Sequence, residues 1–108
     1  MGNNSSYEAI LADYSAHIAA AAPGLVAEYN AEYSVYPTIS SEAGLCNEKI
    51  SKLAAIETEG SGKMADYYLA AGDSYNTYES RSKKLYDVYQ SNAQKITDAY
   101  MASCRNLW

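Results

Sequence analysis

From Lys63 to Cys104 the chain carries no proline and one glycine, Gly72, and this uninterrupted stretch constrains the fold more than any other feature. Ala, Leu, Met, Glu, Lys and Gln fill many of its positions, and all of them are favourable inside a helix. Apolar or aromatic residues recur at Met64, Tyr68, Ala71, Tyr75, Tyr78, Leu85, Tyr89, Ile96 and Tyr100. Steps of three, four or seven residues belong to a helical stripe, not to the alternation of a strand. A continuous helix over this span is about 60 Å long at roughly 1.5 Å per residue, too long for a compact globule of 108 residues. The stretch therefore predicts an all-α fold in one domain: an elongated antiparallel helical hairpin or small bundle with one long C-terminal helix, its stripe covered along most of its length.

Gly60-Ser61-Gly62 is the sharpest punctuation ahead of that helix. A glycine-bearing break between two amphipathic segments predicts a hairpin turn at Gly60 and Gly62. Gly72-Asp73-Ser74 is a second candidate break, with Asp73 or Ser74 able to cap a new helix; the long helix is expected to continue through it. Upstream, Ile10, Leu11, Tyr14, Ile18 and Ala21 mark a first helix over Ser6 to Ala22, stopped at Pro23-Gly24. Leu25 to Tyr36 forms a shorter helix ended by Pro37, and its Glu28 and Glu32 repel each other mildly at four residues apart. Thr38 to Ser41 then offers N-caps for a helix through Leu45, Cys46, Ile50, Leu53 and Ile56 that ends near Glu59. At the N-terminus, Met1-Gly2-Asn3-Asn4-Ser5-Ser6 matches the myristoylation pattern. Ser5-Ser6-Tyr7-Glu8 also fits a capping box with Ser5 as N-cap, and this reading is preferred.

Charge divides the chain. Residues 1–48 hold six acids and no Lys or Arg, whereas residues 49–108 hold eight bases and seven acids, for a net charge of −5. So acidic a chain lacks the basic surface that displaces counterions from phosphates, which argues against a nucleic-acid partner. The N-terminal half also lacks the polybasic patch that a single acyl chain needs for stable anchoring, so membrane anchoring is not expected. No run of roughly 20 apolar residues is present. The Ile18–Ala22 patch has no basic flank, since the first Lys is Lys49; the expected location is the cytoplasm, or outside the cell without a cleavable signal peptide. Cys46 and Cys104 are too few for a disulfide framework and read as ordinary thiols.

No constellation commits the sequence to a chemistry. It holds no glycine-rich phosphate loop, no Cys/His cluster and no nucleophile with an evident histidine partner. His17 stands four residues after Asp13, but one histidine does not make a metal site. No catalytic residue, metal or cofactor is therefore expected, and the chain is not expected to be an enzyme. Twelve tyrosines and no phenylalanine are the remaining signal. A tyrosine buries a large ring yet keeps a hydroxyl that needs a partner, so it suits half-buried boundaries and binding surfaces. Tyr75, Tyr78, Leu85, Tyr86 and Tyr89 form either the wet edge of a narrow bundle or a recognition face for another helix.

A helix-turn-helix of this length, with a glycine-bearing turn and no signal peptide, resembles the small WxG-type hairpin proteins of bacterial type VII secretion. It is similar as well to the small helical partners of LXG toxins. The resemblance covers about Thr38 to Cys104; Glu59-Gly60-Ser61-Gly62 occupies the turn and shares only glycine with the family's motif. Tyr75-Asn76-Thr77-Tyr78-Glu79 matches the export pattern Y-x-x-x-[DE] through Tyr75 and Glu79, though within the long helix. The resemblance implies a secretion-targeting partner or chaperone-like adaptor that pairs with a helical cargo. Residue patterning alone implies a protein-protein interaction module whose partner is another helical protein or a second copy of itself. The alternative is a structural subunit of a homo-oligomeric or filamentous assembly.

Overall fold

The computed structural model describes residues 6–35 and 37–105. Helix α1 (Tyr7–Tyr33) opens at Ser6, whose hydroxyl accepts the Ala9 amide at 3.1 Å. The cap falls one residue later than the sequence suggests; Ser5 and Gly2 lie outside the described residues. Tyr7, Ile10, Tyr14, Ile18, Ala22, Leu25 and Tyr29 are all buried, at steps of three and four, so they form one stripe from end to end. Pro23 lies inside this helix, which corrects the expected stop at Pro23-Gly24. An interior proline costs about 3 kcal/mol through its missing donor and ring clash. Burying a large side chain returns roughly 1.5–3 kcal/mol, and Leu25 and Tyr29 are both buried beyond the proline while Pro23 itself faces solvent.

Helix α2 (Ile39–Ala71) begins at Thr38, whose hydroxyl accepts the Ser41 amide at 3.1 Å. It then runs straight through Gly60-Ser61-Gly62, so the predicted hairpin turn at Gly60 and Gly62 does not exist. Gly60 is buried where the three helices meet. A Cβ there would lie 2.6 Å from Leu85 Cδ2 and 2.8 Å from Tyr14 Cγ, so the missing side chain serves close approach and not chain reversal. Gly62 faces open space. The buried positions Leu53, Gly60 and Met64 continue one stripe at steps of seven and four, which is why the helix persists.

The turn is instead at Gly72, the one described residue with positive φ (64°), whose amide donates to the Tyr68 carbonyl. Ser74 follows as a cap, its hydroxyl accepting the Thr77 amide at 3.2 Å. Helix α3 (Tyr75–Arg105) begins there, so the expected continuous helix from Lys63 to Cys104 is the end of α2 joined by a turn to α3. Glycine in the left-handed region followed by a serine cap satisfies both helix ends at little cost.

Contacts along the helices fix the topology. Tyr7 packs on Tyr67, Tyr14 bonds Glu59 and Tyr29 bonds Glu42, so α2 descends as α1 ascends. Glu8 pairs with Arg81 and Tyr29 with Ser103, so α3 runs parallel to α1. The result is an up-down-up three-helix bundle of 54 × 27 × 15 Å in which each helix packs on both others. By joining the two segments around Pro23, α1 also becomes long and apolar enough to cross a membrane by length and composition. In the bundle its large apolar side chains face α2 and α3.

Candidate interaction surface

The first turns of α3 place the predicted tyrosines on the outside. Tyr75 is 56% exposed and Tyr86 45%, while Tyr78 and Tyr89 are half-buried. Leu85 differs: it is fully buried against Tyr14 and Gly60, so it belongs to the core and not to the predicted binding face. The steps explain this, because Tyr75, Glu79, Ser82 and Tyr86 follow one another at four, three and four residues along one line, whereas Leu85 lies off that line.

Tyr68 at the end of α2 organises the upper part of this face. Its ring stacks on Tyr78 at 5.3 Å and 29°, and meets Tyr75 edge-on at 6.3 Å. Tyr86 and Tyr89 form a second tilted pair at 5.6 Å. Between them lies an open groove of about 650 Å³, bordered by Glu57 of α2 and by Tyr75, Tyr78, Glu79, Lys83 and Tyr86 of α3. Ser61 and Ser82 bond across the helices at 2.9 Å, and Ser61 also donates to Glu57 at 3.0 Å. The groove therefore brings together Tyr75, Tyr78, Tyr86 and the export-pattern residue Glu79, all on a rigid pair of helices. Tyr89 lies farther along, its hydroxyl pushed to higher pKa by burial and by neighbouring Tyr86 and Glu57. Such rings offer large contact area at small entropic cost.

The opposite end of the bundle holds polar groups that sequence reasoning missed. The Tyr29 hydroxyl lies 2.6 Å from the Ser103 hydroxyl, which donates in turn to Glu42 Oε1; all three residues are buried, one from each helix. Glu42 Oε2 has no partner among the described residues. Burial pushes the Tyr29 hydroxyl up to about 12, against the lowering hydrogen bond from Ser103 and with the help of the Glu42 charge. About two turns further along α2, the ammonium of Lys49 is 2% exposed and bonds Glu32 at 3.0 Å, Glu48 at 3.0 Å and Glu28 at 3.2 Å. Burial works to lower its pKa, but the three carboxylates outweigh it and hold the ammonium above the usual lysine range. The mild repulsion expected of Glu28 and Glu32 is offset by the Lys49 ammonium, which reaches from α2 to both carboxylates. No local pattern signals this: the partners come from different helices.

His17 pairs with Asp13 at 3.5 Å on the outer face of α1. Among the described residues no group of three or more His, Cys, Asp or Glu is arranged to hold a metal. Cys46 is buried, Cys104 is partly buried, and both are free thiols. Burial raises the Cys46 thiol pKa. Ser103 has Tyr29, Glu42 and the Tyr100 carbonyl as hydrogen-bond partners, and no imidazole. Comparison with family models, with curated proteins and with solved structures finds no match for the chain.

Proposed function

We propose that the protein is a non-enzymatic helical interaction module that docks a helical partner along the tyrosine face of α3. The observation that carries this reading is the groove between Glu57 and the Tyr75–Tyr86 face, where exposed aromatic rings stand on a rigid helical frame. Aromatic residues are enriched at interfaces because they bury much surface while losing few rotamers. Buried Ser103 and Glu42, by contrast, are committed to holding three helices together.

A secretion-targeting partner or chaperone-like adaptor is the finer form of this proposal. Its support is that Tyr75 and Glu79 both face solvent on the first turns of α3, one turn apart on the same side. The turn glycines lend it nothing, since Gly60 and Gly62 are interior to α2.

Light scattering on the chain mixed with each helical protein that co-purifies with it tests the proposal, with a Tyr75→Ser/Tyr86→Ser double variant as control. A complex formed by the native chain and lost in the folded double variant is the expected result. Partners that bind the double variant equally well would overturn the assignment of this face.

A further inference from the structure

The exposed line on α3 reads nearly the same in both directions. Reversing the helix about a point between Ser80 and Arg81 exchanges Tyr75 with Tyr86 and carries Glu79 to Ser82, next to Lys83. Tyr75, Tyr86, Glu79 and Lys83 are all exposed, and all border the groove. Such a pattern is what an isologous interface requires, since each patch must then complement itself.

We propose that the occupant of this groove is a second copy of the chain, with two α3 helices packed antiparallel about a twofold axis beside residues 80 and 81. Each Tyr75 then meets the partner's Tyr86, and each Glu79 faces the partner's Lys83. This rests on the reading of the tyrosine face as a docking surface and names its occupant.

Charge selects the arrangement. A parallel pairing in register sets Glu79 on Glu79 and Lys83 on Lys83, two like-charge contacts, whereas the antiparallel one sets opposite charges together twice. Lys83 is available for this: its present partner is Asp87 on its own helix at 3.4 Å, with both side chains largely in water. Such a pair holds its geometry weakly. The rings supply the apolar contact at the ends of the line. From Tyr75 to Tyr86 the line runs about 16 Å, a short interface, so association is expected to be reversible and dependent on concentration.

Sedimentation equilibrium on the full chain over a wide concentration range tests the proposal. The mass should rise from 11.8 kDa toward twice that value. Glu79→Lys and Lys83→Glu should each weaken association by at least about tenfold, since each replaces two attractive contacts by two repulsive ones. Mixing these two variants should restore a dimer, because every charge across the axis is again opposite. The Glu79→Lys/Lys83→Glu chain should dimerise as the native one does. All these positions face solvent, so circular dichroism should show native helix content throughout. A native chain that stays monomeric at every concentration overturns the proposal, yet leaves the docking surface to be judged by loss of a foreign helical partner in Tyr75→Ser/Tyr86→Ser. A dimer indifferent to the charge reversals but abolished by the tyrosine substitutions also overturns the antiparallel pairing and keeps the surface. A dimer indifferent to both sets overturns both.

Discussion

Two glycines separated by a single residue, Gly60 and Gly62, should respond to alanine in opposite directions. Gly62 lies in the interior of α2 with nothing near the position of a Cβ, so Gly62→Ala gains helix propensity and should stabilise the bundle by about 0.5–1 kcal/mol. Gly60→Ala gains the same propensity but must place its methyl 2.6 Å from Leu85 Cδ2, 2.8 Å from Tyr14 Cγ and 3.0 Å from Tyr14 Cβ. Leu85 can rotate its terminal methyl away. Tyr14 cannot yield in that way, because its Cβ is fixed to the α1 backbone and its hydroxyl is tied to Glu59 at 2.9 Å. The helices must therefore separate locally, and overpacking of this kind costs about 1–3 kcal/mol. With the propensity gain subtracted, Gly60→Ala should be less stable than the native chain by about 1–2 kcal/mol. The propensity gain cancels between the two variants, so they should differ by the overpacking cost of about 1–3 kcal/mol, or on the order of 10 °C in melting temperature. Urea titrations followed by circular dichroism, with slopes compared to verify two-state unfolding, measure this directly. Equal stability of the two variants would refute the packing argument. Destabilisation by both would restore the turn that the glycine spacing suggests.

Three further outcomes follow from the geometry. Gly72→Ala forces a side chain into the left-handed conformation at φ 64°; urea titration should show a loss of about 1 kcal/mol, and Gly72→Asn a smaller one. Tyr29→Phe removes the hydroxyl that bridges α1 to Ser103 and should cost about 1–2 kcal/mol. Because the Tyr29 hydroxyl titrates at about 12 when folded, above its ordinary 10.0, its contribution is complete below 10.0 and is lost as pH rises through 12. Tyr7, Tyr14, Tyr89 and Tyr100 are raised as well and add to the alkaline loss of stability, so the phenylalanine variant should show a smaller loss than the native chain, not none. Lys49→Met removes the buried ammonium but keeps much of its stem volume, and the carboxylates of Glu28, Glu32 and Glu48 are each about half exposed and can hydrate. Stability at neutral pH should change by less than about 1 kcal/mol. The Lys49 hydrogen bond, then the Lys52 charge, hold the Glu28 carboxyl below its ordinary 4.5, so its contribution is present above that value and lost as pH falls. In Lys49→Met the acid-side loss of stability should shrink, as urea midpoints at neutral and acid pH will show.

The helical class, a cap within Thr38 to Ser41 and core positions such as Ile10, Tyr14, Ile18, Leu53, Met64 and Ile96 were legible because they depend on residues three and four apart along one chain, whereas Tyr75, placed in the covered stripe, is exposed. That Tyr75 and Tyr86 share one side of a helix was legible for the same reason, and the structure leaves both exposed. Leu85 was misplaced because its neighbours are Tyr14 and Gly60, which no spacing within α3 reveals. Glu42, Lys49 and Ser103 went unseen because a buried carboxylate or ammonium declares itself only through partners on other helices.

Glycine and proline divide what each level decided. By itself the sequence determined that the chain is helical, acidic and rich in tyrosine, since propensity, charge and periodicity are local sums. Which breakers break was decided by tertiary packing alone. Pro23 and Gly60 lie within helices because the stripes on either side of them stay buried when the helix continues, and that burial outweighs the local cost of about 1–3 kcal/mol. At Gly72 the apolar spacing runs on across the break, so periodicity could not mark it; the chain turns there because Gly72 takes the left-handed conformation and Ser74 caps the next helix.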